Sequence, residues 1–196
     1  MQPFGGFDHN AQSLRVVTKL ESRYANFEGL NLTWETLEGV VKHNGPLTGP
    51  ENDRPLPRAI AEYAEIQDLE LSTFAGAEAQ VAAKSDDIAY NNHDIDDGLR
   101  AGLFTIGDLV DVPLVGTIFT AVAKDYPNLD LSHTINEAVR RLIGAMVTDL
   151  TDETAKRLAK LKPGSPETVR THDAPVAGFS AKMCEDDVAI KRFLFD

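Results

Sequence analysis

Ala83-Lys-Ser-Asp86-Asp87-Ile-Ala-Tyr90-Asn-Asn-His93-Asp94-Ile-Asp96-Asp97 is the densest polar cluster in the chain, and its reading decides the fold. The pattern predicts a long helix from about Gly76 to Asn92 and a short one from Ile95 to Leu103. On a helix, Asp86, Tyr90 and Asp94 stand four apart and share one face. Each step drifts only ~40° around the axis at 3.6 residues per turn. A carboxylate, a phenol and a second carboxylate then line one groove. Carboxylates are hard oxygen donors suited to magnesium or manganese, so the set can hold a divalent cation and a hydroxyl-bearing ligand. The same residues also make an ordinary solvated acidic face, and spacing alone does not choose between the two. His93 adds nothing by itself, because a lone histidine is more often a surface or core residue than a ligand.

Outward from this stretch the chain reads as all-α. Apolar side chains at Leu14, Val17, Leu20 and Tyr24 recur in steps of three and four, predicting one buried stripe on a helix over residues 10–24. Asp8 or Asn10 can cap its start. A second helix is expected from Trp34 to about His43, with Thr33 as N-cap and Asn44-Gly45-Pro46 as its stop. Leu47 to Leu56 reads as an exposed loop. Helix resumes over residues 58–69. Gly107 to Asp111 is a short turn or helix, and further helices are expected over 113–124 and 132–150. Lys162-Pro-Gly-Ser-Pro166 reads as a break, Val169 to Phe179 as extended chain, and Ser180 to Phe195 as a final helix. There is no internal repeat. The 196 residues read as a single helical domain, or one large piece of a bigger one.

Composition narrows the function. Thirty-one acidic residues against 19 basic give a formal charge of −12, which argues against a broad phosphate-tracking surface for duplex nucleic acid. A small anionic ligand needs only a few local cations, and a single strand can still bind a local patch. The one cysteine, Cys184, excludes an internal disulfide and a Cys-rich zinc motif, and fits a reducing cytoplasm. No targeting segment is visible. The most apolar stretch, Val112 to Ala123, falls short of the ~20 apolar residues of a membrane span. Both ends read as cut: Phe4 and Phe7 stand unshielded at the start, and Phe193-Leu-Phe-Asp196 stops inside an apolar pattern.

Two further clusters can carry chemistry. In Gly5-Gly-Phe-Asp-His9-Asn10-Ala-Gln12, Asn10 offers a donor and an acceptor for a sugar or a base edge, or serves as a helix cap. In Val41-Lys42-His43-Asn44-Gly45-Pro46, Lys42 is a compact cation for phosphate, or a charge that stabilises a helix C-terminus. No nucleophile elbow, P-loop or Gly-x-Gly-x-x-Gly is present.

Taken together, the segments Gly5–Arg15, Gly29–Gly39 running into Val41–Pro46, and Ala82–Gly98 closely resemble the deoxyguanosinetriphosphate triphosphohydrolase-like proteins of bacteria. The resemblance implies an all-helical HD-domain phosphohydrolase fold, of which this chain is the middle and C-terminal portion. It implies cleavage of a deoxynucleoside triphosphate, dGTP-like, to the deoxynucleoside and tripolyphosphate. It makes Asp86 a ligand of a divalent metal, manganese or magnesium. It sets Tyr90 and Asp94 against the deoxyribose, Asn10 against the nucleoside and Lys42 against the phosphates. It also implies a homo-oligomer.

The family's His, its His-Asp pair and its catalytic-loop His and Glu would lie upstream of Gly5. None of the five histidines here replaces them by motif, so no catalytic residue is assigned in this chain, which is expected to be inactive alone. A lone carboxylate holds a divalent ion weakly. The alternative reading is a non-catalytic nucleotide-binding or regulatory helical module.

Overall fold

Local sequence signals set most helix boundaries in the computed structural model, which describes residues 7–50, 52 and 54–195. Phe4, the Gly5-Gly6 pair that opens the Gly5–Gln12 cluster, Glu51 and Asp53 of the loop, and the terminal Asp196 lie outside the described residues. Every regular element among the described residues is helical, as the all-α reading expects. None of these helices is long and apolar enough to cross a membrane. The chain divides into two compact units, Met1–Ala83 with Leu161–Val176, and Lys84–Lys160 with Ala177–Asp196.

In the first unit, α1 covers His9–Arg15 and runs into a π-helical turn, Val16–Leu20. Asp8 is the cap: its carboxylate accepts the Ala11 N–H at 2.7 Å. The wide turn is fixed by Gly29, whose φ is 67°. A Cβ at position 29 would lie 2.4 Å from the Val17 carbonyl oxygen, which accepts the Leu30 N–H at 2.8 Å. Because the chain changes pitch here, the expected apolar stripe holds only at its start. Leu14 is buried, but Leu20 and Tyr24 are 55% and 57% exposed.

Helix α2, Trp34–Lys42, begins after Thr33 and ends where Gly45 turns the chain with φ 113°. The Thr33 hydroxyl meets the Thr36 hydroxyl at 3.2 Å and makes no capping bond to the backbone. Helix α3, Arg58–Ala64, stops short of Leu69. The Ile66 and Gln67 N–H groups both turn back onto the Tyr63 carbonyl, and Leu69 is buried beyond that turn. Leu14, Leu37, Val41, Ile60 and Leu69 form the core of this unit.

The second unit contains most of α4, Ala77–Ala101. The sequence predicts a break near Asn92, and there is none. Asn91 donates to Asp187 Oδ1 at 2.6 Å, and Asn92 donates back to the Ile88 carbonyl at 2.8 Å. Two residues with weak helix preference are thus buried and bonded in place, and tertiary contact overrides propensity. Helix α5 covers Val115–Asp125. Gly116 is obligatory near its start, because a Cβ would fall 2.0 Å from the Val110 carbonyl oxygen. Helix α6, Leu131–Leu161, continues well past Leu150.

The stretch read as a break and then extended chain instead contains α7, Pro166–Arg170, in the first unit. Its proline occupies the first helical turn, where a missing N–H costs nothing. Helix α8, Ala181–Phe195, closes the second unit. Its core is built on Ile95, Leu109, Val115, Phe119, Ile135, Leu142 and Ile190. Phe193 meets Phe104 edge-on at 5.0 Å, so of the two C-terminal phenylalanines Phe195 is the exposed one.

Candidate functional site

Helix α4 carries Asp86, Tyr90 and Asp94 as one row, as the four-residue spacing requires. Asp86 is exposed, Tyr90 is 63% exposed and Asp94 is half-buried. Among the described residues, none of the three has a hydrogen-bond or ion-pair partner, so their oxygens are free to meet a ligand.

The neighbouring Asp87 has a different fate. Lys84 Nζ lies 2.8 Å from one of its oxygens and Lys191 Nζ 3.1 Å from the other. Lys191 also binds Asp187 at 3.0 Å, and Asp187 accepts from Asn91. Burial would raise the Asp87 carboxyl, but the two ammonium groups outweigh it and hold it below its ordinary range. Burial likewise opposes the charge on Lys191, and the Asp187 and Asp87 carboxylates more than compensate. Consecutive acids thus divide the work. Asp87 ties α4 to α8, while Asp86 stays exposed. Lys191 stands 104 residues from Asp87 and gave no signal in the sequence.

In the first unit, Asn10 is buried on α1 and its amide reaches the Val41 carbonyl at 3.5 Å. The cap role belongs to Asp8. Lys42 follows Val41 and is fully buried. Its ammonium meets Glu38 Oε1 at 3.0 Å, the Glu70 carbonyl at 2.9 Å and the Thr73 hydroxyl at 2.9 Å. An ammonium has three donors, and these partners take all three.

Glu38 is shared. Arg170 of α7 grips it with two bonds, at 2.9 and 3.1 Å, and lies over the Trp34 ring at 4.8 Å. Burial lowers the Lys42 pKa, with Glu38 opposing it, while Glu38 raises that of Arg170. The sequence weighed Lys42 as a phosphate ligand or a helix-end charge, and the structure surrounds it with a buried charge cluster. The i,i+4 spacing of Glu38 and Lys42 could have signalled the pair. Nothing local signalled Arg170, 132 residues away from Glu38.

Among the described residues, no group of three or more His, Cys, Asp or Glu side chains is placed to hold a metal ion. These residues alone do not fit a metal centre.

No family model matches the chain. Curated proteins do match it along its whole length. A protein of Parvibaculum lavamentivorans named "Deoxyguanosinetriphosphate triphosphohydrolase-like protein" is 64% identical over 197 residues, which is 100% of this chain and 50% of the relative. Proteins with the same name from Brucella suis and Caulobacter vibrioides are 57% and 55% identical, again over 100% of this chain and 49% and 50% of their own lengths. The chain spans about half the length of the curated relatives it matches. Along its whole length this chain is homologous to deoxyguanosinetriphosphate triphosphohydrolase-like proteins.

Proposed function

We propose that this chain is part of a metal-dependent triphosphohydrolase that cleaves a deoxynucleoside triphosphate, dGTP-like, to the deoxynucleoside and tripolyphosphate. Identity of 55–64% along the whole chain to relatives named for that activity carries the reading. The open row Asp86, Tyr90 and Asp94 supports it, because none of the three has a hydrogen-bond or ion-pair partner among the described residues and all are left for a ligand.

In this reading Asp86 supplies one oxygen to a manganese or magnesium ion, whose other ligands come from outside these 196 residues. Tyr90 and Asp94 meet the deoxyribose, a ring and hydroxyl that an aromatic face and a carboxylate can hold. Asn10 recognises the nucleoside. Lys42 is the least direct member: a phosphate oxygen reaches its ammonium only by displacing Glu38, Glu70 or Thr73. Self-association, and binding of single-stranded DNA at a local patch, belong to the same proposal for the whole protein.

With one carboxylate in place of a ligand set, the 196-residue chain alone lacks the electrostatic stabilisation that P–O cleavage needs, and is inactive. The test is tripolyphosphate release from dGTP with manganese, run on this chain and on a version extended upstream to include a His-Asp pair. Release only by the extended form supports the reading. Release by neither, with dGTP still bound, favours a nucleotide-binding module. Release by the short chain would show that the metal site is misplaced.

A further inference from the structure

An open cleft of about 400 Å³ lies in the first unit between α1 with its π turn and α3. Arg15, Lys19 and Arg58 line it, together with Gln12, Phe7, Asp8 and Glu62. The charge here runs against the chain as a whole, whose formal charge is −12.

Both carboxylates of the cleft are already engaged. Asp8 caps α1 at the Ala11 N–H, and Glu62 accepts from Arg58 Nε at 2.6 Å. The Glu62 carboxyl is held below its ordinary value, first by Arg58 and then more weakly by Lys19 and Arg15, which line the same cleft. Arg15 and Lys19 are exposed and have no hydrogen-bond or ion-pair partner among the described residues. The terminal guanidinium nitrogens of Arg58 likewise have none.

Two like charges four residues apart on a helical segment repel, and Glu62, the carboxylate that acts on both, is hydrogen-bonded to Arg58. A further anion bound between them would offset that repulsion. Phosphate groups suit the set, because guanidinium binds phosphate through two parallel bonds and ammonium adds a point charge. The 67% exposed Phe7 at the rim offers a flat face to a base, should the phosphates belong to a nucleotide.

We propose that this cleft binds a polyphosphate anion, free or as the tail of a nucleotide, through Arg15, Lys19 and Arg58. The site is separate from the nucleoside contact proposed for Asn10. Asn10 and Leu14 turn into the core of the unit, whereas Gln12, Arg15 and Lys19 face the cleft. The inference does not rest on the proposed hydrolase activity.

The test titrates inorganic tripolyphosphate into the 196-residue chain by calorimetry, with a chelator present to remove metal. The parent binds, and Arg15→Gln/Lys19→Gln weakens binding by about tenfold or more, as loss of charge-assisted hydrogen bonds requires. Lys156→Gln/Lys160→Gln removes the same charge elsewhere and leaves binding unchanged, as does Asp86→Asn. Circular dichroism confirms that the variants fold, since every substituted side chain is exposed. Absence of binding to the parent overturns the proposal. So does equal weakening by both lysine-containing double variants, or loss on Asp86→Asn. A parallel titration with dATP separates the two sources: tighter binding than tripolyphosphate, abolished by Phe7→Ala, identifies a nucleotide tail, and equal binding identifies the free anion.

Discussion

The Glu38–Lys42–Arg170 cluster in one unit and the Asp86–Tyr90–Asp94 row in the other both attract a functional reading, yet the structure treats them in opposite ways. In the first, every charged group is buried and satisfied by another residue of the same unit. In the second, the polar groups face outward and have no partner among the described residues. Buried ions must find partners inside the fold, because the loss of water costs several kcal/mol per ion. An exposed carboxylate has no such obligation. A polar residue in a suggestive motif is therefore best judged by what already satisfies it: Lys42 has an architectural explanation, and Asp86 has none.

Substitutions can break this contrast. Glu38→Gln should have the largest effect, a loss of about 3–5 kcal/mol in urea unfolding, because it leaves Lys42 and Arg170 buried without their shared carboxylate. A loss below 1 kcal/mol would mean the cluster is not sealed from water. Lys42→Met should cost less, about 1–3 kcal/mol, since Glu38 keeps Arg170 while the Glu70 carbonyl and Thr73 hydroxyl lose a donor. Unchanged stability combined with lost nucleotide binding would instead make Lys42 a ligand-binding residue.

Acid sharpens the comparison within the second unit. The Asp87 carboxyl is held below its ordinary value of 3.8, so its pairing with Lys84 and Lys191 stabilises the fold fully above that pH. The contribution is lost as pH falls through the depressed value. Asp87→Asn should therefore cost about 1 kcal/mol near neutral pH, and the two proteins should converge in stability once pH has fallen below that depressed value. Parallel curves down to acid would remove Asp87 from the network. Smallest of all, Asp86→Asn, Tyr90→Phe and Asp94→Asn should each leave stability within about 0.5 kcal/mol. A larger loss for any of them would show a structural role for that side chain.

Much of the fold was legible because its signals are local. Asp8 before α1, Gly45-Pro46 after α2 and the periodic apolar residues of α6 act over three or four positions, and the chain obeys them. The errors came where distant contacts decide. The break expected at Asn92 fails because Asp187 and the Ile88 carbonyl accept the side-chain N–H groups of Asn91 and Asn92. The stripe through Leu20 and Tyr24 fails because Gly29 and Leu30 close on the π turn. The polar row on α4 was equally legible, as helix spacing alone puts Asp86, Tyr90 and Asp94 on one face.

The sequence by itself determined the helical class, the alignment of that row and the homology with longer relatives. Only the tertiary structure decided which charges are engaged. Glu38 meets Arg170 and Asp87 meets Lys191 across more than 100 residues of chain. No local pattern encodes such pairs: they exist because packing excludes water and forces buried charges together.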